Sequence, residues 1–217
     1  MDITVGGLWD VETLVTVDTR SLNFGGEQVT IIRGNSNLII KSEFVTWHSG
    51  IVGAQTGSVM TLTKAAKMAI VSTGYHGLAM TLVVSGTVNM EADLNLSEST
   101  VTIEPNADFN IATNNGIHGS GTINNSGTFE KAVGKGTSTL DYTGTFNIDA
   151  PTGSHPVTVS NGALNFAVVG SGVLGGIWTV DSGATLAFSM GNYSVPDGSP
   201  FHRRGRHVSH QCYVEPA

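Results

Sequence analysis

The sequence contains one cysteine, Cys212, and few charged residues of either sign. A single cysteine excludes an intrachain disulfide and a multi-cysteine metal site. Charged residues account for 12% of the 217 residues, which is about half of the usual share. The net charge of −7 disfavours nucleic-acid binding, because contacts to phosphates require a basic surface. We therefore predict no nucleic-acid partner.

Long apolar runs are also lacking. No run approaches the ~20 apolar residues of a membrane-spanning helix, so no membrane span is predicted. The N-terminus has neither the basic region nor the apolar region of a secretion signal. Because the sequence begins directly within a pattern of strands and turns, we expect it to be a piece of a longer chain.

Glycine is abundant instead, with 28 residues, roughly twice its usual frequency. Short runs alternate apolar and polar residues, as at residues 101–103 (VTI) and 109–111 (FNI). This period of two is typical of a strand with one buried face. Helical spacing is almost absent. The pattern predicts an all-β fold with many turns, and the length suits one domain.

A small turn unit precedes many of these runs. It consists of a small residue, a glycine and a second small residue before a β-former, at residues 85–88, 120–123, 126–129, 143–146, 161–164 and 182–186. Gly127, Gly144, Gly162 and Gly183 follow one another at nearly constant intervals. Glycine accepts the positive φ that a sharp turn requires, and these intervals are close to the period of ~20 residues that is typical of a solenoid.

We therefore predict a single-stranded, right-handed parallel β-helix over residues 1–198, with roughly ten laps of ~20 residues each. An antiparallel β-sandwich is the alternative, since it also combines short strands with glycine turns. Residues 199–217 lack alternation and include Arg203, Arg204 and Arg206. They are predicted to form an irregular or disordered tail.

Several segments resemble a known kind of repeat. Residues 119–131 (GSGTINNSGTFEK) and 134–137 (GKGT) resemble a repeat of large secreted bacterial proteins, and residues 161–166 (NGALNF) and 176–186 (GIWTVDSGATL) resemble further units of them. These proteins are autotransporter passengers and filamentous-haemagglutinin-like adhesins. The resemblance, which extends over about residues 40–198, implies a β-helix, secretion and surface display. It supplies no catalytic residue.

A metal site and a sugar platform are the two specific sites that the sequence suggests. His207, His210 and Cys212 carry nitrogen and sulfur donors that suit zinc, although their spacing matches no standard finger. Trp47, Trp178 and Tyr193 form a surface for stacking sugars if they face outwards. Both tryptophans lie in alternating runs, which favours inward packing. No cofactor is predicted.

Other polar residues are expected to be ordinary surface groups. Glu91 and Asp93 share one face of a strand, yet we interpret them as solvated carboxylates rather than an acid–base pair. The histidines at 48, 76, 118 and 155 adjoin glycine or serine, so exposed imidazoles are expected. Rows of outward threonine are typical of ice binding, but no Thr-x-Thr array recurs in register in the sequence.

The leading functional hypothesis is a non-catalytic structural or adhesive repeat segment of a secreted or cell-surface protein. Its expected partners are extracellular glycans or a host or matrix surface. A carbohydrate-binding or polysaccharide-cleaving β-helix protein is the alternative, and a metal-binding module in the tail is the third.

Overall fold

The computed structural model describes most of the chain. It covers residues 2–10, 12–25, 30–33, 37–53, 57–149, 156–196, 201–203, 208–210 and 214–216, of which 30–33 and the last three ranges are described at the level of the backbone. These residues form strands and turns, and no helix occurs among them.

The strands are short and numerous. In chain order they are β1 Asp2–Val5, β2 Leu8–Asp10, β3 Val15–Val17, β4 Ser21–Phe24, β5 Thr30–Arg33, β6 Leu38–Ile40, β7 Phe44–Trp47, β8 Gly50–Val52, β9 Val59–Leu62, β10 Lys67–Ile70, β11 His76–Leu78, β12 Thr81–Val84, β13 Thr87–Met90, β14 Leu94–Ile103, β15 Asp108–Ile111, β16 Ile117–Asn125, β17 Thr128–Lys131, β18 Thr137–Ile148, β19 Val157–Val159, β20 Ala163–Phe166, β21 Val169–Val173, β22 Trp178–Val180, β23 Thr185–Phe188, β24 Asn192–Val195, β25 Phe201–Arg203, β26 Val208–His210 and β27 Val214–Pro216.

Each lap of the chain adds strands to three faces. Face A is a ten-stranded sheet in the order β1-β4-β7-β10-β13-β15-β17-β19-β22-β25. The 17-stranded second sheet carries two strands per lap. One of the two strands lies on face B, which contains β2, β5, β8, β11, the first parts of β14, β16 and β18, and then β20, β23 and β26. The other lies on face C, which contains β3, β6, β9, β12, the second parts of β14, β16 and β18, and then β21, β24 and β27.

Every described strand pair is parallel. The predicted parallel β-solenoid is therefore confirmed, and the antiparallel sandwich is wrong. Register partners on face A are separated by about one solenoid repeat of ~20 residues, except that the lap from Phe129 to Val157 is longer. The ten strands of this face agree with the predicted number of laps.

The core consists of inward columns, one side chain per lap. Because alternate residues of a strand point to opposite sides, each face A strand from β1 to β22 sends two side chains inward. One column contains Leu22, Val45, Met68, Val88, Phe109, Phe129, Val157 and Trp178, and the other contains Phe24, Trp47, Ile70, Met90, Ile111, Lys131, Val159 and Val180; all are buried. Burial of each large apolar side chain contributes about 1.5–3 kcal/mol.

Lys131 is the exception among these apolar residues. It is stacked between Ile111 and Val159 of the adjacent laps and is fully buried. Its Nζ donates to the carbonyl oxygens of Thr113 and Val133, and to that of Gly134 at 3.2 Å. Burial lowers the pKa of Lys131, because desolvation disfavours the charged form. Three carbonyl acceptors thus satisfy an amine inside the solenoid.

Glycine is required where the long strands bend from face B to face C. Ser99, Gly121, Gly144 and Gly170 stack in register at this corner. A Cβ on Gly144 would lie 1.7 Å from the carbonyl oxygen of Gly121, and its φ is +148°. A Cβ on Gly170 would lie 1.8 Å from the oxygen of Gly144. No larger residue fits at Gly144 or Gly170, whereas β14 accommodates Ser99 next to a register shift between Ser97 and Ser99.

The regular glycine intervals in the sequence do not measure the lap. Gly127 precedes face A strand β17, whereas Gly144 lies inside β18 between faces B and C. Gly162 and Gly183 precede β20 and β23, which are neighbours on face B. Of the three intervals, only that from Gly162 to Gly183 connects equivalent corners. The estimate of ~20 residues per lap is therefore correct, although two of the intervals behind it do not span one lap.

The predicted tail contains three strands. The backbones of β25, β26 and β27 pair in parallel with β22, β23 and β24. These strands lie within residues 199–217, the segment that the sequence separates from the repeat. The predicted boundary between residues 198 and 199 lies outside the described residues.

Candidate functional site

The two tryptophans suggested for sugar stacking lie in the core. Trp47 and Trp178 are both 0% exposed. Trp47 packs edge-on against His76, with ring centroids 5.5 Å apart, and its Nε1 donates to the carbonyl oxygen of Ser49 at 3.2 Å. Trp178 Nε1 donates to the carbonyl oxygen of Gly175, also at 3.2 Å. The condition for an outward platform, that these rings face solvent, is not met.

Tyr193 lies at a groove, although most of its side chain is buried. It is 3% exposed, and its ring centroid is 5.5 Å from that of Phe188. Phe188 also packs against Trp178 at 5.7 Å. Trp178 and Tyr193 are therefore linked through the core, whereas Trp47 lies several laps away on β7. The sequence identified one residue of the groove and no more.

The groove lies on face C at the laps of β18, β21 and β24. Its volume is about 460 Å³, and its lining comprises Asn147, Ser171, Gly172, Val173, Asn192, Tyr193 and Ser194. Amides and hydroxyls supply most of its polar groups, and none of these residues is charged. Such a volume lies within the range of ligand pockets, about 300–1,000 Å³. The groove is the principal candidate site.

Strand register places the groove at the end of two longer columns on face C. The first outward column contains Thr100, Thr122, Thr145, Ser171 and Asn192. The second contains Ile39, Thr61, Val83, Thr102, Asn124 and Asn147, with Val173 and Ser194 beyond them. Neither column includes a charged residue as far as Ser194, after which the next register position is Glu215. Thr100, Thr122 and Thr145 form a single threonine column, whereas their neighbours Thr102, Asn124 and Asn147 do not, so a Thr-x-Thr array does not recur in register, as expected.

Neighbouring amides in the second column bond to each other. Asn147 Nδ2 donates to Asn124 Oδ1 at 3.0 Å, and the backbone N–H of Val173 is 3.4 Å from Asn147 Oδ1. On face A, Asn110 Nδ2 donates to Asn89 Oδ1 at 3.1 Å. These contacts fix the orientation of the amides. Face C consequently presents one oriented amide pair, Asn124 and Asn147.

Tyr142 packs beneath the same region. Its hydroxyl donates to the carbonyl oxygen of Thr145 at 3.1 Å. Burial raises the pKa of Tyr142 far above its ordinary value, and the nearby phenol of Tyr193 raises it further. Tyr142 therefore remains a neutral phenol below face C at ordinary pH.

A histidine between two aspartates is the main charged cluster on face B. His118 Nδ1 is hydrogen-bonded to Asp141 Oδ1, and His118 Nε2 lies 3.6 Å from Asp93 Oδ1. Asp93 also accepts the N–H of Gly116 at 2.8 Å. Because both ring nitrogens face carboxylates, the cluster connects three successive laps. Glu91 and Asp93 are both exposed, as expected, and Asp93 makes these contacts in addition.

The expectation of exposed histidines fails at His76. This residue begins β11 and is 0% exposed. Its Nε2 is 3.0 Å from the carbonyl oxygen of Val71, and its ring packs against Trp47. The alternating pattern that would have revealed an inward position is interrupted by Gly77 and the preceding turn. His48 is half-buried, and position 155 lies outside the described residues.

The zinc hypothesis falls mostly on positions that the structure does not describe. His207 and Cys212 lie outside the described residues, and His210 ends β26, whose backbone alone is described. Among the described residues, no group of three His, Cys, Asp or Glu side chains could hold a metal ion. The hypothesis for the C-terminal segment stays a prediction.

Two further concavities lie near the N-terminal laps. One, of about 560 Å³, is lined by Thr4, Asn23, His48, Ser72 and neighbouring residues. The other, of about 610 Å³, is lined largely by apolar residues of the first lap, including Ile3, Val5, Trp9 and Val15. The latter opens onto the end of the core rather than onto a face.

Comparison with known proteins identifies no relative. No protein-family model, curated protein or solved structure matches the chain. Among the described residues, no helix is long and apolar enough to cross a membrane. The fold and the geometry of its faces are therefore the basis for any statement about function.

Proposed function

We propose that this chain is a structural and adhesive segment of a secreted or cell-surface bacterial protein, with no catalytic role. The solenoid acts as a rod, and its outer faces present binding groups at constant spacing. The observation that carries this proposal is the pair of uncharged outward columns on face C, which stay in register over successive laps.

The core supports a rod that resists local unfolding. Phe109, Phe129, Phe146 and Phe166 form a chain of ring contacts with centroid distances of 5.4, 5.5 and 4.9 Å. Aromatic pairs of this kind add about 0.5–1.5 kcal/mol each beyond their burial. Because each lap is stabilised by its neighbours, a lap inside the rod can unfold only by losing two interfaces.

The resemblance to autotransporter and filamentous-haemagglutinin-like adhesins supports location outside the cell. The residues that carry it, 119–131 and 161–166, fall on β16, β17 and β20. They include the corner residue Gly121 and the buried Phe129. The repeat therefore encodes the architecture that such adhesins use for display. A chain held together without disulfides also suits assembly after export.

Bead adhesion tests the proposal. Beads coated with the chain are applied to matrix gel and to layers of neutral and acidic polysaccharide. Beads coated with Gly144→Ala, which is expected to disrupt the solenoid, show whether retention requires the fold. We expect at least tenfold more wild-type beads to resist washing on one or more surfaces. Equal retention of both kinds of bead on every surface contradicts adhesion. Release of new sugar ends from any polysaccharide contradicts a non-catalytic role and supports a cleaving enzyme.

Antibody labelling tests the location. Intact cells that produce the parent protein should bind antibody raised against this chain as well as lysed cells do. Labelling confined to lysed cells would place the rod inside the cell and remove the basis for display.

A further inference from the structure

Face C differs from the other faces in its charge. Its outward positions from Ile39 to Ser194 are occupied by threonine, serine, asparagine, valine and isoleucine along both columns. A ligand on this part of the face meets no fixed charge directly beneath it. An anionic or cationic polymer would lose hydration there without gaining an ion pair, which disfavours its binding. The face thus selects for neutral ligands.

The groove offers such a ligand contacts on more than one side. Ser171, Asn192 and Ser194 are exposed within it, and Asn147 is half-buried at its edge. Hydroxyls and amides both donate and accept hydrogen bonds, as the hydroxyl groups of a sugar require. The exposed side chain of Val173 adds apolar surface, which suits the C–H face of a pyranose.

The direction of the ligand follows from the register. Ser171 and Asn192 are partners on adjacent strands, and Thr145 precedes them in the same column. Adjacent laps are about 4.8 Å apart, which is close to the length of one sugar unit in an extended chain. A strand lying along the solenoid axis therefore meets an equivalent donor–acceptor pair at each unit.

We propose that the face C groove binds an extended, neutral polysaccharide strand that runs along the solenoid axis, with Asn147, Ser171, Asn192 and Ser194 as its hydrogen-bonding residues. This inference rests on the proposed adhesive function and identifies the class of its ligand. Ice is the competing ligand for an uncharged threonine-rich face, but a concave site lined by amides fits a discrete chain better than a flat lattice.

Calorimetric titration of the full chain tests the proposal. The probes are xylohexaose, cellohexaose and mannohexaose, with galacturonate hexamer as the anionic counterpart. We expect at least one neutral hexaose to bind, and to bind at least tenfold more tightly than the galacturonate hexamer. Failure of every neutral hexaose to bind overturns the proposal, as does tighter binding of the anionic hexamer or inhibition of ice growth without sugar binding.

Variants locate the site. Ser171→Ala combined with Asn192→Leu removes hydrogen-bonding groups from two exposed positions, and we expect at least a tenfold loss of affinity. Thr46→Val with Thr87→Ala makes an equivalent change on face A and should leave affinity within twofold. Ser194→Trp, which fills the groove at an exposed position, provides a second test if the double variant does not fold. Unchanged affinity in a folded groove variant overturns the assignment.

The two proposals fail in different ways. If wild-type and groove-variant beads adhere equally well, the adhesive rod stands and the groove is not its site. If a neutral hexaose binds in the groove and is then cleaved, the site stands and the non-catalytic role is wrong.

Discussion

Faces A and C are built from the same backbone but present different surfaces. Both consist of parallel strands with alternating inward and outward residues, and both bury apolar columns. Face A nevertheless carries Asp2, Lys67, Asp108 and Glu130 at outward positions. Neither outward column of face C carries a charge over the laps that end at β24.

Folding alone does not account for this difference. An outward side chain contributes little to the core, and surface substitutions usually change stability by no more than about 0.5 kcal/mol. Charged residues are therefore tolerated on face A, and the same tolerance applies to face C. The proposed binding of a neutral ligand to face C would account for its lack of charge, since a charge there would have to be desolvated.

The largest effect is expected at the corner that orients face C. Gly144→Ala places a Cβ 1.7 Å from the oxygen of Gly121, so the laps of β16 and β18 must separate. We expect a loss of about 4 kcal/mol or more, or failure to fold. Gly6→Ala is the control, because nothing lies within 4 Å of its Cβ position.

Hydrogen exchange shows where this damage lies. In Gly144→Ala, amides of β14, β16 and β18 should lose protection more than those of β4 and β7. Uniform loss over all laps would mean that the laps do not unfold separately. A stability within about 1 kcal/mol of wild type would contradict the close packing at this corner.

A pair of core substitutions compares the interiors of the two faces. Phe129 points inward from face A and Phe146 from face C, with ring centroids 5.5 Å apart. Since both are fully buried, each change to alanine should cost about 3–5 kcal/mol in urea unfolding. Thr128→Ala, at an outward position, should cost about 0.5 kcal/mol or less. Costs for the two phenylalanines that differ by more than about twofold would show that the interiors are not equivalent.

The sequence predicted the interior better than the surface. Alternation in runs such as residues 101–103 and 109–111 marks which residues point inward, because burial requires apolar side chains in strict period two. The parallel stack was predicted from the recurring turn unit, whereas the number of laps rested on glycine intervals of which only the last connects equivalent corners. His76 and Lys131 were missed, since polar residues carry no sign of burial until their hydrogen-bond partners are known.

The residues of the candidate site could not be predicted from the alternation of apolar and polar residues. Ser171 and Asn192 are partners across a lap of ordinary length, whereas Phe129 and Val157 are partners across a distinctly longer lap. Such variable laps conceal which outward residues share a column. Tyr193 was selected as an aromatic residue, but its neighbours in the groove are small polar residues that occur throughout the chain.

The burial of Lys131, the lysine in the inward columns of face A, can be tested by measuring stability as a function of pH. Burial lowers the pKa of Lys131 below its ordinary value of 10.5. Between the folded-state pKa and 10.5 the unfolded chain binds more protons, so stability should rise with pH in this window. The slope is at most about 1.4 kcal/mol per pH unit. Lys131→Met should lack this rise when unfolding is followed from neutral pH up to the ordinary pKa of lysine. A wild-type slope equal to that of the variant contradicts burial of the amine.

The smallest effect on stability, and the most direct comparison of the two faces, comes from adding a charge to each. Ser171→Lys on face C and Thr46→Lys on face A both alter outward positions. Each should change the unfolding free energy by no more than about 0.5 kcal/mol, as measured by urea titration.

Adhesion to neutral polysaccharide should fall for Ser171→Lys alone, since a lysine on face C must be desolvated by a neutral ligand. Equal adhesion by both variants would mean that the uncharged face has no part in binding. A large loss of stability in Ser171→Lys would instead mean that folding itself keeps face C free of charge.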